Sequence, residues 1–290
     1  MTISVPLVVV GSNTLDVQFD RFVGAAGTTN RALDAGLFAY AFGIAALGTQ
    51  IPLVADFVFG LEPVPKWLPL QLPLAYLSAA ILLGASAMIA SGWRRRLAAV
   101  ALAAMFLAWF VLLQLPLLAT HSSDGTAWTR AFEVLAMFAS AWLVAAHAKN
   151  AGPSLPAAWS RMVDAGAQWA PQCFGACLLV FGTLHFVFHD YVAYVIPAWI
   201  PAHPFFAYFT GAAHFAAGVA LVTRVQARLA ATLLGVMFGS WVLLLHIPRV
   251  AAEPSDRNEW TSLLIAITLC GGAWLLAGYA PNASAKLRKQ

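Results

Sequence analysis

A chain that carries one sequence twice is constrained to fold as two copies of one unit, joined in a way both copies tolerate. Here the spacing is 132 residues, as from Trp67 to Trp199. Trp67-Leu-Pro69 meets Trp199-Ile-Pro201, and Ala75-Tyr76 meets Ala207-Tyr208. Arg96-Leu-Ala-Ala99 meets Arg228-Leu-Ala-Ala231, Pro116 meets Pro248, Asp124 meets Asp256, and Trp128-Thr129 meets Trp260-Thr261. From about residue 65 to about residue 148 the register runs without a gap, with about a third of the positions identical. A repeat of this length is a fused duplication, not a short solenoid unit. What both halves keep is scaffold, and what one half alone carries is where a function can sit.

The unit belongs in a bilayer. Hydrophobic residues make up 61% of the chain, charged residues only 10%, and the mean hydropathy is +0.77. That is too little charge to cover the surface of a water-soluble domain. Runs of about 20 apolar residues, the length needed to cross the hydrocarbon core, predict spans at 35–59, 70–91, 97–119 and 131–148. In the second half they predict spans at 171–189, 205–223, 229–247 and 261–280. Charge sorting orients them. Five segments on one side of this layout carry twelve of the sixteen Lys and Arg residues, namely the two tails, Arg94 to Arg96, the inter-repeat linker and Arg224 to Arg228. An excess of Lys and Arg marks the cytoplasmic face. Four spans per repeat give both halves the same sense, a parallel duplication unlike the inverted repeats of many transporters.

The expected fold is therefore all-α, a polytopic membrane protein with eight transmembrane helices as two parallel four-helix bundles. It divides into a cytoplasmic tail (1–34), a first, degenerate repeat (35–148), a cytoplasmic linker (149–170), a second repeat carrying the candidate site (171–280) and a cytoplasmic tail (281–290). Gly152-Pro153 and Pro156 suit the linker to a loop. The expected compartment is a bacterial-type inner membrane with both termini inside. A net charge of +4 dispersed between apolar runs is no nucleic-acid signal. Three cysteines without a CxxC exclude a disulfide framework or zinc ribbon by spacing. Cys173 and Cys177, four apart, read as apolar filler.

The halves differ most in their titratable residues. Toward its non-cytoplasmic side the second half holds His185, His189, Asp190, His203, His214, His246 and Glu259. In the first half His203 faces Gln71, His214 faces Leu82, His246 faces Gln114 and Glu259 faces Ala127. An ionisable group inside a bilayer is expensive and points into a bundle interior with a partner, which makes His185, His214 and His246 the leading ligand-binding candidates. His185 and His189, four apart, share a face if the helix continues through both. With His246 they form a candidate metal set, and a single imidazole also suits haem. Glu259 and Asp190 are the candidate proton partners, Glu259 for His246. Asp124 and Asp256, each four residues before a Trp-Thr, are expected to cap the last helix of each repeat. Arg249 is a candidate for an anionic headgroup or ligand, and Arg257 is placed to pair with Glu253, four before it.

Phe181-Gly-Thr-Leu-His185-Phe, Pro197-Ala-Trp-Ile-Pro201, Tyr208-Phe-Thr-Gly211, Arg228-Leu-Ala-Ala231, His246-Ile-Pro248 and Arg257-Asn-Glu-Trp260 together resemble the DoxX-like membrane proteins. The likeness covers residues 171 to 278 well and 37 to 146 more weakly. It implies a four-helix unit about as long as one repeat and an association with membrane redox work, including thiosulfate oxidation coupled to quinone. It carries over His185 and His246 as site positions, without a reaction. The fusion of two units departs from the single-unit pattern. The function expected is a redox-associated membrane subunit with a quinone-type or metal site in the outer leaflet of the second repeat, beside a redox partner protein or a second copy of the chain. A non-catalytic scaffold that docks a partner, and a transporter of lipids or small molecules, are the alternatives.

Overall fold

In the computed structural model, eight helical segments among the described residues are long and apolar enough to cross a membrane. The structure describes residues 25–148 and 156–279. The expected tails and linker fall partly outside the described residues, at 1–24, 149–155 and 280–290. No strand occurs among the described residues. The protein is an all-α integral membrane protein.

The helices are α1 (Ala25–Val54), α2 (Gln71–Ser91), α3 (Arg95–Trp109), α4 (Leu115–Thr120) and α5 (Gly125–His147) in the first half. The linker forms α6 (Ala157–Ala167). The second half has α7 (Ala170–Val187), α8 (His189–Val195), α9 (His203–Thr223), α10 (Ala227–Trp241), α11 (Ile247–Ala252) and α12 (Arg257–Tyr279). α3 runs into α4 through a π turn at Phe110–Gln114, and α10 into α11 through one at Val242–His246. Each pair makes one span of 26 residues.

The duplication is written into the backbone. The two π turns lie 132 residues apart, each followed by Pro116 or Pro248. A helical proline donates no hydrogen bond and crowds the carbonyl four residues back, and the widened turn accommodates that. Leu70 and Ala202 take left-handed conformations at equivalent positions, as do Arg94 and Gln226, and Gly92 and Arg224. Asp124 accepts from the Thr126 amide at 2.8 Å and Asp256 from the Asn258 amide at 2.7 Å. The indoles of Trp128 and Trp260 each donate to a carbonyl six residues back, Ser122 and Pro254, at 2.8 Å. The expected caps are therefore present. They start α5 six residues and α12 four residues earlier than hydropathy alone indicates, because Arg130 and Glu259 lie inside helices where they find partners.

The linker differs from its expected loop. α6 buries Val163 and Ala167 against the bundle. Trp142 donates to the Val163 carbonyl at 2.9 Å, and Arg96 pairs with Asp164 at 2.9 Å.

The halves are interleaved. The first helix of each half packs on the last helix of the other, α1 chiefly on α12 and α7 on α5 as well as on α9 of its own half, and α5 touches α12 at the centre. The spans thus form a ring that α5 and α12 pinch into two compartments, so each compartment borrows one wall from the other repeat. Lipid offers no hydrophobic drive between helices, so close approach must come from small residues. A Cβ on Gly36 would stand 2.6 Å from the Leu275 amide nitrogen, which seats α1 against α12. Gly175 and Gly182 on α7 face Gly218 and Gly211 on α9 at similar proximity.

Candidate functional site

The two compartments are filled differently. In the first, Tyr40, Ile44, Leu47, Leu82 and Phe106 are fully buried. Tyr40 donates to the Met137 carbonyl at 3.1 Å, and Gln114 donates to the carbonyls of Gly60 and Leu61 at 3.0 and 2.9 Å. The second compartment holds a chamber of about 640 Å³, within the range of small-molecule sites. Its apolar walls include Phe181, Phe188, Val192, Ile196, Phe238 and Leu269.

His185, His214, His246 and Glu259 all line this one chamber. The glycine contacts between α7 and α9 bring the first two together: a Cβ on Gly211 would lie 2.9 Å from that of His185. The ring centroids of His185 and His214 stand 4.9 Å apart. Nδ1 of His185 lies 2.8 Å from the Phe181 carbonyl oxygen and Nδ1 of His214 2.8 Å from that of Thr210. A carbonyl only accepts, so both protons sit on Nδ1, and in the neutral rings Nε2 is an acceptor. Neither Nε2 has a protein hydrogen-bond partner among the described residues. His246 sits in its π turn, its buried Nδ1 also without a partner.

Nearer the loops, Arg249 clamps Glu259 through two hydrogen bonds, Nε to Oε2 at 2.7 Å and Nη2 to Oε1. Its Nη1 donates to the Val195 carbonyl at 3.3 Å, fastening α8 over the chamber. This corrects two expectations. Glu259 is the partner of Arg249 instead of His246, and Arg249 is already committed to a carboxylate instead of being open to an anion. Arg257, expected to pair with Glu253, reaches Asp56 at 3.0 Å and the Phe57 carbonyl at 2.9 Å, so it ties the α12 start to the segment after α1.

His189 and Asp190 lie outside the chamber. α7 stops at Val187, and Phe188 breaks the helix with φ −110° and ψ 35°. The helical phase is lost, so the four-residue spacing no longer puts His189 on the His185 face. Its Nε2 pairs with Asp190 at 3.1 Å and its ring stacks on Tyr208. Asp190 is 97% exposed and serves no buried proton partner. His185, His189 and His246 therefore do not assemble as a ligand set, and no group of three His, Cys, Asp or Glu residues among the described ones is placed to hold a metal ion. His203 closes its own loop, Nε2 lying 3.2 Å from the Pro197 oxygen.

The first repeat supplies a wall of the chamber that the asymmetry between the copies does not point to. Arg130 and Glu133 of α5 line the chamber and pair at 3.0 Å. Arg130 also donates to Asn258 Oδ1 at 2.7 Å and to Ser262 Oγ at 3.2 Å, which stitches α5 to α12. A signal existed: opposite charges three apart inside an apolar span are rare and turn inward, and the second repeat has Ser262 and Ile265 in their place.

No family model matches the chain, and no curated protein or solved structure matches it.

Proposed function

We propose that this protein is a redox-associated membrane subunit, DoxX-like in its second repeat, whose chamber binds a quinone-type molecule. One observation carries the reading: a single chamber combines aromatic and aliphatic walls with three imidazoles, while the equivalent compartment of the first repeat buries Tyr40, Leu82 and Phe106. A ligand with a flat apolar ring and polar oxygens matches that lining, since such sites are mostly apolar with a few fixed polar groups. His185, His214 and His246 contact its oxygens, and the Arg249–Glu259 pair positions α8 at the mouth. A metal site is not part of the proposal, because no three His, Cys, Asp or Glu residues among the described ones are placed to share an ion. With the basic segments inside, the membrane is a bacterial-type inner membrane, both termini are cytoplasmic and the mouth faces outward. A redox partner protein docks at that face, and a second copy of the chain is a further partner.

The test uses the full chain purified in mild detergent. Solvent extraction should recover quinone at near one per protein, and added short-chain quinone should raise the unfolding temperature. His214→Leu installs the residue of the first repeat, where Leu82 is buried at the same position. It should fold with a stability change of about 1 kcal/mol or less and lose most of the retained quinone. A quinone-free extract, together with no response to added quinone, would refute the reading and leave a scaffold.

A further inference from the structure

Both guanidiniums of the chamber are spent on protein groups. Arg249 holds Glu259 and the Val195 carbonyl, and Arg130 holds Glu133, Asn258 and Ser262. Among the described residues no arginine of the chamber is left to neutralise an anion, and a charged ligand would have to break one of these pairs. The ligand is therefore neutral. The paired imidazoles narrow it further. His185 and His214 each send the Nδ1 proton back to their own helix, which leaves Nε2 on the ring edge away from that helix. Two rings, each with an acceptor Nε2, thus stand 4.9 Å apart between centroids on the chamber wall. An acceptor pair is matched by a hydroxyl and is mismatched with a carbonyl, whose lone pairs face theirs. His214 is the eleventh residue after the start of α9, roughly 16 Å down the helix at 1.5 Å per residue. A hydroxyl bound there lies well below the mouth.

We infer that the chamber selects the reduced, hydroxyl-bearing form of its ligand: a neutral hydroquinone, one hydroxyl of which donates to Nε2 of His185 or His214. This rests on the quinone-type reading above and adds the redox state to it.

The experiment compares three probes on the detergent-purified full chain: a short-chain alkyl hydroquinone under anaerobic reducing conditions, the matching benzoquinone, and the hydroquinone dimethyl ether. The three share ring and tail and differ only at the oxygens. The hydroquinone should bind roughly tenfold or more tighter than the other two, the worth of one buried hydrogen bond that the others cannot make. In His185→Phe and His214→Leu the hydroquinone should lose most of its affinity, so that its preference over the other two shrinks toward unity. Benzoquinone binding as tightly as the hydroquinone, or more tightly, overturns the selectivity and leaves the quinone-type site standing. Binding of the ether equal to the hydroquinone overturns the hydroxyl contact in the same way. Binding of none of the three overturns the inference and the quinone reading together.

Discussion

Glu259 and Arg249 are unequally buried, and that inequality predicts how their pair responds to mutation. The Glu259 side chain is 8% exposed and that of Arg249 32%. Arg249→Met leaves a carboxylate deep in the chamber wall without its counter-charge, a change that costs about 3–5 kcal/mol in buried pairs. It also frees the Val195 carbonyl that the same guanidinium holds. Glu259→Gln leaves a guanidinium that opens toward the chamber and keeps the Val195 contact. Its cost is about 1–2 kcal/mol, the scale of a charged hydrogen bond lost at a part-solvated site. Replacing both by Met removes both desolvation penalties at once, so the double variant should lie within about 2 kcal/mol of the wild type. The cycle therefore predicts a coupling of several kcal/mol. Unfolding of the micelle-bound protein at pH 7 by added SDS, followed through tryptophan fluorescence, measures all four corners. An Arg249→Met variant less than 1 kcal/mol below wild type, or additive single variants, would refute the claim that Glu259 depends on this guanidinium.

Two further outcomes test the scaffold. Glu62, in the segment between α1 and α2, is raised from the ordinary 4.5 to about 7. Burial is the main cause; the Ser78 hydroxyl and the Val58 amide, which donate to it, oppose the shift, and Asp56 adds to it. The folded state then holds a proton that the unfolded state releases, so stability should fall as pH rises from about 4.5 to about 7 and level off above, by roughly 3 kcal/mol in all. Glu62→Gln should flatten that stretch of the stability curve, and a variant that declines as steeply as wild type excludes Glu62 as the source. Gly271→Val would press a side chain onto Tyr40 of α1, whose Cα already stands 2.8 Å from where a Cβ would lie. It should cost about 1–3 kcal/mol by overpacking, read from the same SDS titrations, whereas Gly84→Ala, with nothing within 4 Å of the added carbon, should cost little.

The helices were legible from composition and period because the bilayer leaves the backbone no other solution: each polar backbone group must be satisfied within its own segment. The duplication was legible too. Its caps, π turns and left-handed residues recur at the same offset because the same local chemistry, Asp before Trp-Thr and Leu or Ile before Pro, drives them in both halves. The identity of His185, His214, His246 and Glu259 as chamber residues could be read from the asymmetry between copies, since an ionisable residue in an apolar run must turn inward. Pairings were not legible in the same way. The four-residue spacing groups His189 with His185 only along a continuous helix, and the break at Phe188 is a matter of backbone torsion at one residue.

By itself the sequence determined eight spans, their repeat and the excess of titratable groups in one copy, because those follow from hydropathy and local propensity. Only the tertiary structure decided that α1 packs on α12 and α7 on α5, so that the first repeat contributes Arg130 and Glu133 to the second repeat's chamber. Helix partners in a membrane are chosen by backbone approach at a few glycines and by ion pairs between distant segments. The long-range contacts of Gly36 with Leu275, and of Arg130 with Asn258, leave no periodic trace along the chain.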